Sequence, residues 1–291
     1  MTFRHLNIFL LVCKEKNMTR VAEKLYMTQP SVTQAIKELE AYYETLLFER
    51  RGKTIAISND GYKLLPIAQN IVETFQNSKN IIKNTFTYEL TLGTSATVGT
   101  YLISNISKKL KNIPNFEIKY IVDNTHNIEQ MILDSNIDIG IVEGEIHSKQ
   151  LTSTSFLKDE LGLVCSSESE FSKFQSISLS KLNNSKFIYR EEGSGTKELI
   201  ESIFHQNNIK VESVGIINNI EAIKNMVIDN MGISILPKLS ILKEVENKKL
   251  HYIEIEQINL SRNFKIIYHK DKVIDKYFEN ILTSLLSLKL D

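Results

Sequence analysis

The sequence predicts an α/β protein in which a winged helix-turn-helix and one long linker helix precede a two-lobed region of strands and helices. Three observations carry that prediction. Two short amphipathic helical patterns meet at a tight, capped turn near Thr28, and a long three-and-four apolar spacing begins after Ser58. From Glu89 onward, strand and helix patterns alternate. At 291 residues the chain is too long for one core of ordinary size, so several units are expected. We divide it into 1–58 (winged helix-turn-helix), 59–88 (linker helix) and 89–291 (two lobes). The first lobe takes about 89–160 and 266–291, and the second about 161–265.

A content of 42% hydrophobic and 24% charged residues suits a folded chain and argues against extended disorder. Lys+Arg and Asp+Glu are both 35, so any affinity for a polyanion has to come from a local surface. Cys13 and Cys165 each stand among apolar residues and read as buried free thiols. The apolar run from Ile8 to Cys13 is too short for a signal segment or a membrane span, so a cytoplasmic protein without a membrane partner is expected.

Leu6, Phe9, Leu10 and Cys13 fall on one face of a first helix. A second starts near Thr19, the expected N-cap, and turns Val21, Ala22 and Leu25 inward. A third opens at Thr28-Gln29-Pro30-Ser31, where Thr28 caps and Pro30 lacks an N–H that the first turn does not use. Val32, Ile36 and Leu39 point inward, which leaves Gln29, Ser31, Thr33, Gln34 and Lys37 outside. Those side chains have the lengths and donor sets that reach base edges and phosphates. A plain helical hairpin with a solvated face would share the pattern.

Leu47 to Arg50 and Thr54 to Ile57 read as two short strands around the turn Arg51-Gly52-Lys53. Beside a reading helix, a wing tip carrying Arg50, Arg51 and Lys53 could hold the phosphate backbone. Behind it, Leu64, Ala68, Ile71, Phe75 and Ile82 make a coiled-coil-like seam with Pro66 near its start. That helix could pack on its own unit or pair with a second copy. Pairing is favoured, because two reading helices related by a twofold axis reach half-sites roughly 34 Å apart.

In the rear region strands are expected at Glu89–Gly93, Glu117–Val122 and Ile137–Val142, with helices at Val98–Leu110 and Ile128–Leu133. A second series runs through strands at Lys186–Tyr189, Val211–Ile217 and Ile233–Leu236, with helices after Thr196 and at Ile220–Asp229. Repeated βαβ units imply a mostly parallel sheet with ligands at the carboxyl ends of strands. Two segments suit a ligand there: Gly93-Thr94-Ser95-Ala96-Thr97, and Glu192-Gly193-Ser194-Gly195-Thr196 in the other lobe. Each offers hydroxyls and amides to an anion, although either alone could be a tight capped turn.

No enzyme signature emerges. The Gly193 segment lacks the Gly-Lys of a phosphate loop, and Glu198 stands where a dinucleotide fingerprint needs glycine. The histidines (His5, His126, His147, His205, His251 and His269) lack metal-ligand spacing, so neither metal nor cofactor is expected.

The stretch from Phe3 to Leu65, with MTRVAEKLYMTQPSVTQAIKELE, LFERRGKTIAIS and NDGYKLL, resembles the N-terminal domain of LysR-type transcriptional regulators. The rear region is similar to that family's effector domain, itself like type 2 periplasmic binding proteins. VDNTHNIEQMILDSNIDIGIVEG, YREEGSGTKELIESIF and MVIDNMGISILP look most like the branch regulating sulfur assimilation and carbon fixation. The resemblance implies a sequence-specific regulator of double-stranded promoter DNA, controlled by a small anionic effector between the lobes. Glu143 joins Thr94, Ser95, Ala96, Thr97, Gly193, Ser194, Gly195 and Thr196 in the implied effector set, and Lys197 stands where the branch often has arginine. Homodimers that associate into tetramers are implied as well. The alternative is a solute-binding sensor module with a helical dimerisation domain and no role at DNA.

Overall fold

The computed structural model describes residues 1–51, 54–82 and 87–289. Its first unit is α1 (Phe3–Glu15), α2 (Met18–Lys24), α3 (Gln29–Tyr43), β1 (Phe48–Arg51), β2 (Thr54–Ile57) and α4 (Asn59–Ile82). The inward stripes of the helical patterns meet in one core: Phe9 and Cys13, Val21 and Ala22, Val32, Ile36 and Leu39. Thr28 caps α3 by accepting from the Ser31 amide, with Pro30 in the first turn. The cap of α2 is Asn17 and not Thr19, because the Asn17 carboxamide accepts from both the Thr19 and Arg20 amides. β1 and β2 pair antiparallel, Phe48 opposite Ile57 and Arg51 opposite Thr54. Gly52 and Lys53 of the expected turn lie outside the described residues.

The seam expected along α4 divides in two. Leu64 and Ala68 turn into the unit's own core with Leu65 and Val72. Ile67, Ile71, Phe75 and Ile82 are instead 44, 41, 63 and 81% exposed. Four-residue steps from Ile67 to Phe75 hold these side chains on one face, so α4 packs on its own domain and still presents an apolar stripe outward.

The rear region opens with β3 (Tyr88–Ser95), β4 (Phe116–Asp123) and β5 (Ile139–Glu143), parallel in the order β4-β3-β5. α7 (Thr125–Leu133) crosses from β4 to β5, while α5 (Ala96–Tyr101) and α6 (Ile103–Leu110) share the β3–β4 crossing. The single helix expected over Val98–Leu110 is thus two, divided at Leu102, whose φ of −115° departs from helical geometry. No loop separates β3 from α5, since the strand runs to Ser95 and the helix starts at the next residue.

The sheet is mixed, not mostly parallel. β6 (Leu151–Ser166) and β12 (Ser261–His269) run antiparallel to each other, and β12 runs antiparallel to β5. From Leu161 onward β6 pairs with β10 (Ser234–Pro237) and β11 (Leu250–Ile255) of the second lobe. One 16-residue strand therefore belongs to both lobes. Antiparallel returns need no crossover helix, so the alternation of strands and helices carries no sign of them. The second lobe adds β7 (Ser176–Ile177) parallel to β11, and β8 (Lys186–Arg190) parallel to β9 (Glu212–Ile217), with α8 (Gly195–Gln206), α9 (Ile220–Ile228) and α10 (Lys238–Glu246). α11 (Lys276–Leu286) returns to the first lobe and buries Phe278, Ile281 and Leu285 there. Cys13 and Cys165 are buried free thiols, and burial pushes the Cys165 thiol up to about 11.

Candidate nucleic-acid interface and ligand cleft

On α3 and its cap, Thr28, Gln29, Pro30, Ser31, Gln34 and Lys37 are exposed and Thr33 is half-buried. Thr33 is held back because its hydroxyl donates to the Gln29 carbonyl and accepts from the Gln29 carboxamide at 2.8 Å. Gln34 donates to Glu38 at 3.0 Å, one helical turn away. A concave groove of about 730 Å³ runs along this face, bounded by Asn17 and Thr19 of α2, Gln29 and Lys37 of α3, and Phe48 and Ile55 of the wing. Lys16 also lines it. The side chains reach outward while Val32, Ile36 and Leu39 fix the helix from behind. Arg50 and Arg51 end β1 at the wing.

In the rear region the two predicted segments meet where the lobes touch. Ser95 donates to Glu143 Oε2, and Thr97 donates to Glu143 Oε1 at 2.9 Å. Arg262 reaches both sides: Nη1 donates to Thr196 Oγ1 at 2.9 Å, and Nη2 lies 3.5 Å from Glu143 Oε1. Its Nε donates to Asp159 at 2.7 Å. Ser95, Thr97, Glu143, Asp159, Thr196 and Arg262 are all buried. Burial pushes the Asp159 carboxyl above its usual range despite the adjoining guanidinium. Ser194 caps α8 in position only; among the described residues its buried hydroxyl has no hydrogen-bond partner, and neither has Arg262 Nη2. Thr94 points away from Ser95 by strand alternation, its buried hydroxyl likewise unpartnered. Ala96 opens α5, Gly193 is exposed, and Gly195 is buried against Gly144. Lys197 is buried and paired with Glu192 and Glu201 of its own lobe.

Several further contacts hold the lobes together. The His126 amide donates to the Gly193 carbonyl at 3.2 Å, and Tyr101 donates to Glu221 at 3.0 Å. At the rim of a cavity of about 250 Å³, His147 Nε2 meets Glu198 at 2.9 Å while Nδ1 lies 3.4 Å from Glu129. The hydrogen bond to Glu198 chiefly raises the His147 pKa. The protonated ring is therefore the form that ties the lobes. The stabilisation is fully present below the ordinary histidine value of about 6.5 and is lost as pH rises through the elevated folded value. The His147 side chain is 60% exposed, so the effect is small. Thermal melts of His147→Gln should lose the wild-type decline in melting temperature across that window; identical profiles would exclude the ring as a clamp.

Arg262 and Asp159 escaped sequence reasoning. Both carry a signal, because each occupies the buried phase of an alternating strand: Arg262 with Phe264 and Ile266, Asp159 with Leu161 and Leu163. A charge in that phase has to find a buried partner. Here each finds the other, in register across β6 and β12. Among the described residues no group of three or more His, Cys, Asp or Glu side chains is placed to hold a metal ion. No helix there is long and apolar enough to cross a membrane.

Comparison with known proteins gives two family matches. Residues 3–62 match the family described as "Bacterial regulatory helix-turn-helix protein, lysR family", and residues 83–288 match "LysR substrate binding domain". A "Probable RuBisCO transcriptional regulator" of Phaeodactylum tricornutum (strain CCAP 1055/1) is 32% identical, with 99% of this chain and 97% of that protein covered. The "HTH-type transcriptional regulator CysL" of Bacillus subtilis (strain 168) is 28% identical over 90% of this chain and 89% of its own. The Synechocystis PCC6803 CcmR regulatory domain, solved in complex with 2-PG, superposes with a TM-score of 0.64 at 23% identity, covering 68% of this chain and 96% of that one.

Proposed function

This chain belongs to the LysR family of DNA-binding transcriptional regulators, and we propose that α3 reads promoter DNA while a small anion, bound between the lobes, controls the output. The reading rests above all on the outward polar face of α3, set beside an open groove with a wing at its edge. Thr28, Gln29, Pro30, Ser31, Thr33, Gln34 and Lys37 form the DNA-facing set, joined by the wing residues Arg50, Arg51 and Lys53. The stripe Ile67, Ile71 and Phe75 supports a twofold pairing of copies, which brings two reading helices onto one site. An anion is favoured in the cleft because buried hydroxyls and a guanidinium converge there on a carboxylate. The 2-PG complex of CcmR, which shares the rear fold, supports the same ligand class. We assign 1–58, 59–88 and 89–291 to DNA binding, pairing and sensing, and read the protein as a cytoplasmic regulator and not an enzyme.

The test is a mobility-shift titration of the full chain against the region upstream of its own gene. Binding should resist non-specific competitor and weaken steeply with salt. Gln34→Ala should relax base preference at one position by about 1–3 kcal/mol. Lys37→Ala should weaken all sequences alike and shrink the salt slope by about one. An unchanged preferred site in Gln34→Ala would remove α3 from base reading.

A further inference from the structure

We propose that the carboxylate of Glu143 is a tethered competitor of the effector: it occupies the anion cradle in the free protein, and an anionic ligand has to replace it. The inference rests on the cleft being an anion site, as proposed above, and reverses the role expected of Glu143 as a contact to the ligand.

Glu143 ends β5 and is 2% exposed. Its two oxygens take the Ser95 and Thr97 hydroxyls, the side chains best placed to donate to an anion from the first lobe. The neighbouring cation is Arg262, which is already shared with Asp159 at 2.7 Å. One guanidinium thus faces two buried acidic side chains. A further anion drawn to Ser95, Thr97 and Arg262 would lie within contact distance of the Glu143 carboxylate. Like charges at that separation in a poorly solvated site disfavour one another strongly. Ligand and Glu143 therefore exclude each other.

The cradle also holds more donors than Glu143 uses. Arg262 Nη2, 3.5 Å from Glu143 Oε1, is buried without a hydrogen-bond partner among the described residues. Thr196 accepts from Arg262, which leaves its own O–H free to donate. A ligand with three or more anionic or polar oxygens, such as a phosphate or sulfate group, would satisfy donors that a two-oxygen carboxylate leaves idle. The tethered carboxylate sets a threshold in consequence: anions that make only the contacts Glu143 already makes gain little by replacing it, whereas richer oxyanions gain.

A residue that contacts the ligand and a residue that competes with it predict opposite signs. The experiment is calorimetric titration of the full chain with inorganic phosphate, sulfate and 2-phosphoglycolate. The proteins compared are wild type, Glu143→Gln, Glu143→Asp, Ser95→Ala and Thr97→Ala. Glu143→Gln should bind at least one of these anions roughly tenfold or more tightly than wild type. Glu143→Asp, which keeps the charge but shortens its reach to the hydroxyls, should gain less. Ser95→Ala and Thr97→Ala should bind more weakly. Arg262 keeps Asp159 as its partner in Glu143→Gln, so that variant should fold; should it not, the Asp variant decides by the same sign. Weaker or equal binding by the Glu143 variants, with losses in Ser95→Ala and Thr97→Ala, overturns the competitor role and leaves the cleft reading intact. If no protein in the set binds any of the anions, or the hydroxyl variants bind as wild type does, the cleft reading falls and this inference falls with it.

Discussion

Arg262→Leu should lower the unfolding free energy of the two-lobed region by about 3–5 kcal/mol, the loss expected when one partner of a buried ionic cluster is removed. The side chain touches both lobes and the strand they share: Thr196 at 2.9 Å, Asp159 at 2.7 Å and Glu143 at 3.5 Å. Leucine fills much of the volume, so the deficit comes from leaving two buried carboxylates facing each other and not from a cavity. Burial already pushes the Asp159 carboxyl up, with Arg262 opposing that rise; without the guanidinium it climbs further. The sign follows. A carboxyl whose folded value is raised favours the folded state below its unfolded value, and that advantage is lost as pH rises through the folded one. The variant should accordingly approach wild-type stability in acid and fall away toward neutral pH. Denaturant titrations at both ends of that range measure it, and a loss under about 1 kcal/mol at neutral pH would show that the cluster contributes little.

What the sequence discloses depends on how local the governing interaction is. The stripe Val32, Ile36 and Leu39 and the cap Thr28 act within one or two turns of helix, and they stand in the structure as read. The two hydroxyl-bearing segments were legible for the same reason, since each sits where a strand gives way to a helix. The α4 seam was half legible: spacing shows that Leu64, Ala68, Ile71, Phe75 and Ile82 are apolar, but the position of the first unit's core decides which of them it takes. The long returns β6 and β12 were hidden, because Leu151 to Leu157 is rich in Ser and Thr, is half exposed, and alternates weakly. With those strands went Asp159 and Arg262. Glu143 entered only through the family resemblance, and its pairing with the cradle was not legible, since Ser95 and Glu143 are 48 residues apart and meet only when β3 and β5 lie side by side.

Gly195→Ala should reduce effector affinity by about 10- to 100-fold while leaving DNA binding by the ligand-free protein unchanged, an effect that follows from where the lobes touch. A Cβ on Gly195 would lie 2.4 Å from the Glu143 carbonyl oxygen and 3.0 Å from Gly144 Cα. Those are backbone atoms, which cannot swing aside as a side chain would. Relief has to come from the lobes moving apart, at an overpacking penalty of about 1–3 kcal/mol, which corresponds to the stated range of affinity. Separation would stretch the contacts that cross the cleft, Arg262 to Thr196 and the His126 amide to the Gly193 carbonyl. α8 itself gains from the change, because alanine is the better helix former, so the second lobe should stay folded. Gly144, with φ of 101°, is the opposing half of this contact and holds a backbone conformation that a side chain would strain. Calorimetry with an anion that binds the wild type, read beside a mobility shift without ligand, separates the two effects. Retained affinity in Gly195→Ala would mean that ligand capture does not require the lobes to meet at these glycines, and sensing would then have to pass through the shared strand β6.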